Sequence, residues 1–364
     1  MGIPLNTVAP PKLPSIVVVM GAGSSADFGV PTLRSIFTNR EAKAYLKQDG
    51  VLAEWLQKTF WEPRGHSAQT SERSVTIEEM LTILRDWQRE PSVKQLDAAE
   101  LDDIRRRLYV LIYHAVYENK SSDKGFLNGL IDVLGANFGL VTWASFNWDC
   151  IFESSFWYNS GQPGPYGGRT NPKPVISLSG YKHWSGKHEY LKLHGSVNWW
   201  LIDGKPTYLK WGSHGELTVK WNELSENKTA DLPIILEPSA YKYEHPLYKQ
   251  ILEPQWTHFL KRLCEAACVL VIGYSLAEND LEARCKMFTA FQVNEACRWA
   301  VVDPAGETRQ KYERLWGTKR LWTSEHSLAG FNSALIDNLK TAFPNVEIKD
   351  PRAAAGTPAP RTAT

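Results

Sequence analysis

The chain has 364 residues, of which 43% are hydrophobic and 22% are charged, a composition typical of a folded protein with a large core. Collagen and long intrinsically disordered chains are excluded. The 41 basic and 40 acidic side chains give a formal net charge of +1, so we expect no global attraction to nucleic acid or anionic lipid and predict no direct nucleic-acid binding. The longest apolar runs are much shorter than the roughly 20 residues that cross a bilayer, and we predict no membrane span.

Residues 1–14 form a proline-bearing lead that lacks the basic and apolar regions of a signal peptide, and we therefore expect a cytoplasmic protein. The five cysteines include no Cys-x-x-Cys pair, which disfavours a zinc ribbon. We expect buried, reduced thiols and no zinc or other metal site.

Strand-like and helix-like segments alternate along residues 15–350. The β-branched run at 16–19 has no polar alternation, which is typical of a strand buried on both faces of a parallel sheet. Apolar positions at helical spacing over 41–134 predict a helical insertion, on which Arg105, Arg106 and Arg107 are expected to form a solvated face. A strand at 139–143 and a helix at 151–158 are predicted next.

The second half repeats this alternation after a break. Short aromatic strands and turns predict a small β-rich insertion over about 159–235. Helices are then predicted at 256–267, 281–292 and 328–343, with strands at 269–272 and 299–302. Residues 351–364 are rich in Ala, Pro and Thr and are predicted to be a disordered tail. The fold class predicted is α/β: a Rossmann-like parallel sheet with helices on both faces, plus a helical insertion and a small β-rich insertion.

Several of the 15 tryptophans lie close together in the β-rich insertion, among them Trp199, Trp200 and Trp221. Such a cluster can stack on a base or a sugar, and it can equally pack in a core or an interface. Both interpretations stay open from the sequence.

A glycine turn, Gly21-Ala22-Gly23-Ser24-Ser25, follows the first predicted strand directly. Glycines let the backbone approach a diphosphate, and a helix that follows offers free N–H groups to that anion. The pattern is not the dehydrogenase fingerprint, because Gly29 follows Gly23 by six residues rather than three. The sequence therefore predicts a nucleotide site without hydride transfer, or a turn that is only structural.

Three further polar clusters follow predicted strands. Asn147 and Asp149 come after the strand at 139–143, His194 ends an apolar strand, and Gly273 and Ser275 come after the strand at 269–272. Ligands of open parallel sheets bind beyond the carboxyl ends of strands, so these side chains are placed to meet a ligand. Helix capping by Asp149 and a structural role for His194 are the alternatives.

Together these four segments resemble the sirtuin superfamily. Residues 21–34 fit the sirtuin pattern Gly-Ala-Gly-x-Ser-x-x-x-Gly-Ile/Val-Pro-x-x-Arg, which ends at Arg34. Residues 146–149 are similar to its Gln-Asn-Ile-Asp segment, His194-Gly195 to its catalytic His-Gly, and residues 273–275 to its Gly-Thr-Ser. The helical block and the β-rich insertion have no counterpart in sirtuin sequences.

The departures from the pattern indicate a branch of this superfamily. Protein-deacylating sirtuins carry two Cys-x-x-Cys pairs that bind zinc, and this chain has none. Phe146 stands where their Gln precedes the Asn, and Thr32-Leu33 where Asp-Phe precedes the Arg. The chain is more similar to the zinc-free sirtuin-like domains of bacterial antiphage systems, which hydrolyse NAD.

The resemblance implies NAD as the substrate and a role for each matching residue. Gly21, Ala22, Gly23, Ser24 and Ser25 would cradle the diphosphate. Asn147 would orient the attacking water or the ribose hydroxyls, Asp149 would support that network, and His194 would act as general base. Arg34 would sit near the phosphates or ribose, while Gly273 and Ser275 would contact the adenosine diphosphate half. Asp303 is a candidate for the adenosine ribose hydroxyls, with a loop cap as the alternative.

The resemblance implies an NAD hydrolase that depletes NAD in an infected bacterium, an abortive-infection effector. The alternatives are a zinc-free protein deacylase or ADP-ribosyltransferase, and a nucleotide sensor without turnover. A hydrolase of free NAD would kill its host, so we expect activity to be held off by homo-oligomer assembly or by a defence partner protein. The helical block is the surface expected to make that contact.

Overall fold

The chain folds around a seven-stranded sheet with the strand order β10-β9-β8-β1-β2-β4-β3, in which all strands except β3 run parallel. The computed structural model describes residues 13–32, 35–62, 75–90, 97–117, 125–152, 182–185, 187–209, 216–226, 229, 231–236, 248–278 and 280–351. The strands of this sheet are β1 (Ser15–Met20), β2 (Leu140–Ser145), β3 (Lys182–Ser185), β4 (His188–Lys192), β8 (Cys268–Ile272), β9 (Arg298–Val302) and β10 (Leu321–Ser324). A second, antiparallel sheet has the order β6-β5-β7, with β5 at Gly195–Ile202, β6 at Lys205–Tyr208 and β7 at Leu232–Ile235.

Helices precede, separate and follow the strands. A single turn, α1 (Gly23–Ala26), follows β1, and a helical block lies between β1 and β2, composed of α2 (Arg40–Gln48), α3 (Gly50–Leu56), α4 (Ile77–Arg89), α5 (Ala98–Tyr117) and α6 (Gly125–Asn137). The later helices are α7 (Glu216–Ser225), α8 (Glu253–Glu265), α9 (Leu281–Val293), α10 (Gly306–Trp316), α11 (Leu328–Ser333) and α12 (Leu335–Ala342). α4 begins with a capping box between Thr76 and Glu79, which explains its sharp start in the sequence.

The sheet separates two hydrophobic cores, because successive side chains of a strand point to opposite faces. Ile16 and Val18 of β1 pack in the core that contains the helical block, α11 and α12. Val17 and Val19 pack in the other core, with α8, α9 and α10. This two-sided burial explains the run of β-branched residues in β1 and confirms the predicted Rossmann-like α/β fold.

The parallel strands end at the same edge of the sheet. Met20 pairs with Ser145 of β2 and with Ile272 of β8, while Ser145 pairs in turn with Lys192 of β4. On the other side Ile272 pairs with Val302 of β9. β1 is the strand from which the chain continues first to one side and later to the other, so the topological switch point lies at its carboxyl end.

Most of the predicted elements are present, with four differences. α10 and β10 had not been predicted. The stretch predicted as short strands and turns contains α7, and its strand β4 belongs to the main sheet. The last predicted helix is two helices with a break at Ala334. The polar loop 64–74, most of the helix predicted at 151–158, the lead up to residue 12 and the tail from 352 lie outside the described residues.

Two residues of the tryptophan-rich segment, Trp200 and Trp221, belong to the hydrophobic core. Trp200 and Trp221 are fully buried, and their rings meet edge to face with centroids 5.0 Å apart. Trp221 also stacks on Tyr113 of α5 at 4.6 Å. These two indoles therefore tie the small sheet to the helical block and do not stack on a ligand.

The prediction that Arg105, Arg106 and Arg107 form a solvated face was wrong, because all three side chains are partly buried. Arg106 donates to the carbonyl oxygens of Leu224 and Ser225, the last residues of α7, and also binds Asp103. Arg107 bridges Asp103 and the buried Asp49. A cation at a helix C-terminus satisfies carbonyls that have no partner within the helix, so Arg106 joins α5 to α7.

A buried carboxylate, Glu189 of β4, fixes helix α8 against the sheet. Arg262 donates to it from Nε at 2.6 Å and from Nη2 at 3.1 Å, and His258 Nε2 lies 3.1 Å away. Thr142 of β2 donates a further hydrogen bond. Burial by itself raises the pKa of Glu189, but the hydrogen bonds from His258, Arg262 and Thr142 outweigh it and lower this pKa to about 2.

We predict that Glu189→Gln lowers the free energy of unfolding at pH 7 by about 3 kcal/mol, because it removes the buried carboxylate that binds His258 and the partly buried Arg262. A depressed pKa stabilises the fold above the unfolded-state value of 4.5, and this contribution is lost as the pH falls toward about 2. The difference between variant and wild type should therefore shrink at pH 3. Urea unfolding at both pH values measures it.

The matched control is Glu265→Gln, since Glu265 also binds Arg262, at 3.2 Å, but is half exposed. It should change stability by less than about 1 kcal/mol. Equal effects of the two substitutions would contradict a buried ion pair at Glu189.

Candidate functional site

The residues that the sequence singles out come together at the carboxyl edge of the sheet. Backbone hydrogen bonds extend the strand pairing past the ends of the strands: Phe146 N donates to Met20 O and Leu193 N donates to Ser145 O. On the other side Gly21 N donates to Ile272 O. The turns after β1, β2, β4 and β8 therefore start from one line.

Most backbone N–H groups of the turn after β1 already donate hydrogen bonds within the protein. The N–H groups of Gly21, Gly23, Ser24 and Ser25 each donate to a backbone carbonyl at 2.9–3.2 Å. Only the Ala22 N–H in this turn donates to no acceptor among the described residues. α1 is a single turn of four residues, so the expected row of free helical amides is not found. A ligand at this turn would meet the Ala22 N–H.

The glycines of this turn serve contact with the turn after β8. A Cβ on Gly21 would lie 2.5 Å from the carbonyl oxygen of Gly273, and a Cβ on Gly23 would lie 2.9 Å from its Cα. Gly273 itself has φ +60°, and a Cβ there would lie 2.2 Å from the Ser24 nitrogen. Three glycines thus let two backbones touch, which no other residue type permits.

Asn147 joins the turn after β2 to the turn after β1. Its Nδ2 lies 2.9 Å from the Gly21 carbonyl oxygen, 2.9 Å from Ser25 Oγ and 3.2 Å from Ser24 Oγ. Its amide oxygen accepts no hydrogen bond from the described residues. The carbonyl acceptor fixes which end of the amide faces the turn, and the oxygen is left for a water or a hydroxyl group.

The neighbours of Asn147 are anchored on opposite faces of the sheet. Phe146 packs in the core of α8 and α9 and stacks on Tyr274 with centroids 4.1 Å apart. Trp148 packs in the core of the helical block. Asn147 is held between these two anchors at the edge itself.

Asp149 completes this network from below. Its Oδ2 accepts a hydrogen bond from Ser25 Oγ at 2.7 Å, and its Oδ1 accepts one from the Ile151 N–H at 3.0 Å, so it also caps the helical residues that follow. The fully buried Lys192, the last residue of β4, donates from Nζ to the Asp149 carbonyl oxygen. Sequence reasoning missed Lys192, although a lysine inside an apolar strand was a visible signal.

His194 lies two residues beyond β4, on the other side of Phe146 from the glycine turn of β1. Its ring meets Phe146 edge to face at 5.1 Å, and Trp256 lies at 5.9 Å. Nε2 is buried and makes no hydrogen bond within the described part of the chain, but it lies 3.5 Å from Oδ2 of Asp280. Asp280 was not predicted, since a lone acid after the turn of β8 carries no signal in the sequence.

Three predicted site residues remain: Ser275, Asp303 and Arg34. Ser275 is exposed at the turn after β8. Asp303 directly follows β9, and its Oδ1 accepts a hydrogen bond from the Ala305 N–H at 2.8 Å, which is the loop cap considered from the sequence. Burial raises the pKa of Asp303. Arg34 lies outside the described residues.

No group of three His, Cys, Asp or Glu side chains that could hold a metal ion occurs among the described residues. The helices within the same residues include none long and apolar enough to cross a membrane.

Comparison with known proteins identifies a domain within the chain. Residues 142–322 match the family model described as "SIR2-like domain". This span contains Asn147, Asp149, His194 and Gly273, and it supports the sirtuin superfamily that the motifs resemble. No curated protein matches the chain in sequence.

Solved structures with a similar arrangement include a Sir2 homolog in complex with NAD, which is 11% identical, with a TM-score of 0.46 and 90% of each chain covered. A Sir2–p53 peptide–NAD+ complex is 10% identical, with a TM-score of 0.44, 88% of this chain and 92% of that chain covered. At such identities and TM-scores the likeness says nothing about activity.

We predict that Gly273→Ala destabilises the protein by about 2–4 kcal/mol, because a positive φ and an overpacked contact add up. Gly204→Ala is the matched control: Gly204 has φ +71° in the two-residue turn between β5 and β6, but nothing lies within 4 Å of its added Cβ. It should cost about 1 kcal/mol. Urea unfolding of both variants measures the difference, and equal losses would mean that the two turns do not touch.

Proposed function

We propose that the protein is an NAD glycohydrolase, which cleaves the bond between nicotinamide and ribose and releases nicotinamide and ADP-ribose. The observation that carries this proposal is the junction of Asn147 with Ser24, Ser25 and Asp149 at the switch point of the sheet, with His194 on the neighbouring turn. Open α/β sheets bind their ligands at this point. The SIR2-like domain over residues 142–322 supports NAD as that ligand.

In the proposed complex the diphosphate lies against the turn after β1, where the Ala22 N–H has no acceptor among the described residues. Arg34 neutralises phosphate charge, and the turn with Gly273 and Ser275 contacts the adenosine diphosphate half. Asp303 is proposed to meet the adenosine ribose hydroxyls with the carboxylate oxygen that does not cap the Ala305 N–H.

The proposed chemistry starts with the bond between C1′ and the pyridinium nitrogen. The electron pair of this bond leaves with nicotinamide, and positive charge develops on the ribose as in other glycosidic cleavages. A water, oriented by the amide oxygen of Asn147, adds to C1′, and its proton passes to His194 and then to solvent. Asp149 holds Ser25, and through it the Asn147 amide, in place.

Water is favoured as the acceptor by the packing around His194. Phe146 and Trp256 contact the imidazole, and the His194 side chain is 13% exposed. A small nucleophile reaches such a position more readily than a lysine side chain on a protein. The absence of paired Cys-x-x-Cys motifs from the sequence points the same way.

The first test is product analysis of the purified chain with NAD, with and without an acetyl-lysine peptide. We expect nicotinamide and ADP-ribose in equal amounts without peptide. His194→Ala and Asn147→Ala should each lower kcat by at least about 100-fold, the range of a lost general base or orienting group. His326→Ala is the control histidine: it is exposed beyond β10, at the far end of the sheet from β4, and should retain wild-type turnover.

Release of nicotinamide only with the peptide would establish deacylation instead, and transfer of ADP-ribose to protein would establish a transferase. NAD binding without turnover, unchanged in both variants, would leave a nucleotide sensor.

We further propose that this activity depletes NAD in antiphage defence and is gated by homo-oligomer assembly or a partner protein. The support is the size of the helical block, α2 to α6, which supplies none of the residues proposed to contact NAD.

The prediction is that NAD turnover depends on protein concentration or on an added partner. Mass photometry and NAD cleavage measured over the same dilution series test it. A monomer that is fully active at every concentration would contradict gating by assembly.

A further inference from the structure

We propose that Asp280 is a positioning residue that fixes the proton of the His194 imidazole on Nε2 and leaves Nδ1 as the base. This inference rests on the proposed function for its catalytic consequence. Its structural part, the tautomer and the pairing, stands on the geometry of the protein alone.

The pairing is between one buried nitrogen and one buried carboxylate. Nε2 of His194 lies 3.5 Å from Oδ2 of Asp280, and this nitrogen has no hydrogen bond within the described residues. Asp280 is 4% exposed. A buried polar atom without a partner is costly, and the carboxylate is the acceptor that this N–H faces. Hydrogen bonds of this kind are often long without substrate and shorten in the complex.

Asp280 is itself held in place. Tyr274 donates from its hydroxyl to Asp280 Oδ2 at 2.6 Å, and the Tyr312 hydroxyl donates to the Tyr274 carbonyl oxygen at 2.9 Å. The turn that delivers Asp280 contains Leu276 at φ +50°, a left-handed conformation that a leucine rarely adopts. Such conformations are strained for residues other than glycine and persist where the surroundings enforce them.

The ring of His194 is confined as well. Phe146 meets it edge to face and Trp256 lies beside it, so the imidazole has little freedom to rotate away from Asp280. The side chain is 13% exposed although Nε2 is buried, so its exposed surface belongs to other atoms. A carboxylate that accepts from one imidazole nitrogen makes the other nitrogen the proton acceptor and stabilises the imidazolium that forms.

Few titratable groups face this pair among the described residues. Apart from His194 and Asp280 themselves, the described titratable group that contacts the pair is the Tyr274 hydroxyl. Phe146 and Trp256, which contact the imidazole, are uncharged. Glu282, two residues along α9, binds Tyr248 and Lys286 instead.

The direct test is the tautomer of His194 in the wild-type protein. Two-bond ¹H–¹⁵N correlation spectra of ¹⁵N-histidine-labelled protein at pH 8 distinguish Nε2–H from Nδ1–H, and the spectrum of His194→Gln assigns the resonances. We expect Nε2–H in the wild type. An Nδ1–H tautomer, or rapid averaging of the two, would overturn the proposal without reference to any substrate.

The second test is kinetic and uses Asp280→Asn, which keeps the shape and an acceptor for Tyr274. We expect kcat for NAD cleavage to fall by about 100-fold or more, with KM changed less than about threefold, because the loss is in the transition state rather than in binding. The His194 spectrum should lose its single Nε2–H form. Tyr274→Phe, which removes one donor and leaves the carboxylate, should give a smaller fall in kcat.

Glu282→Gln is the matched control, since it neutralises a neighbouring acid that does not contact His194, and it should leave kcat and the spectrum unchanged. Wild-type turnover by Asp280→Asn with an unchanged His194 spectrum would overturn the positioning role. If the wild type cleaves no NAD, the proposed function fails, and the spectra of wild type and Asp280→Asn still decide the pairing.

Discussion

The contact between the backbone of the β1 turn and that of the β8 turn is the constraint on which the site depends. Gly21, Gly23 and Gly273 are close enough that any side chain at these positions would collide with the opposite turn. The contact fixes Ser24 and Ser25, whose hydroxyl oxygens both accept from Asn147 Nδ2. The Ser25 hydroxyl also donates to Asp149. The same β8 turn continues to Tyr274 and Asp280 beside His194. One backbone contact therefore sets the relative positions of both halves of the site.

Several polar side chains at the sheet edge use one of their atoms in a hydrogen bond of the fold, which leaves a second atom for the proposed function. The Asn147 nitrogen serves the fold and its oxygen is left over, while one oxygen of Asp303 caps a loop and the other is not so used. The buried Lys192 Nζ donates to the carbonyl oxygen of Asp149. Substitution of such a residue removes a hydrogen bond of the fold together with any role in turnover, so a binding measurement is needed beside each rate.

The fold was predictable from the sequence because the central strands β1 and β8 are apolar runs, each followed directly by a glycine turn. β10 was missed because Leu321–Ser324 is a short edge strand, of which half the residues are only partly buried. The broken last helix was missed because alanine is a good helix former, whereas Ala334 has φ −127° and ψ 41° and interrupts the helix. In the site, motifs at strand ends located Asn147, Asp149 and His194. Asp280 and Lys192 were not predicted, since their roles arise from contacts between turns that are far apart in sequence.

Phe146 and Trp148 are anchored in two different cores, so the residue between them, Asn147, is fixed from both faces of the sheet. Each core lies between one layer of helices and one face of the sheet. The backbone of residues 146–148 links the two cores. The position of the Asn147 side chain at the sheet edge therefore depends on how both helical layers pack against the sheet.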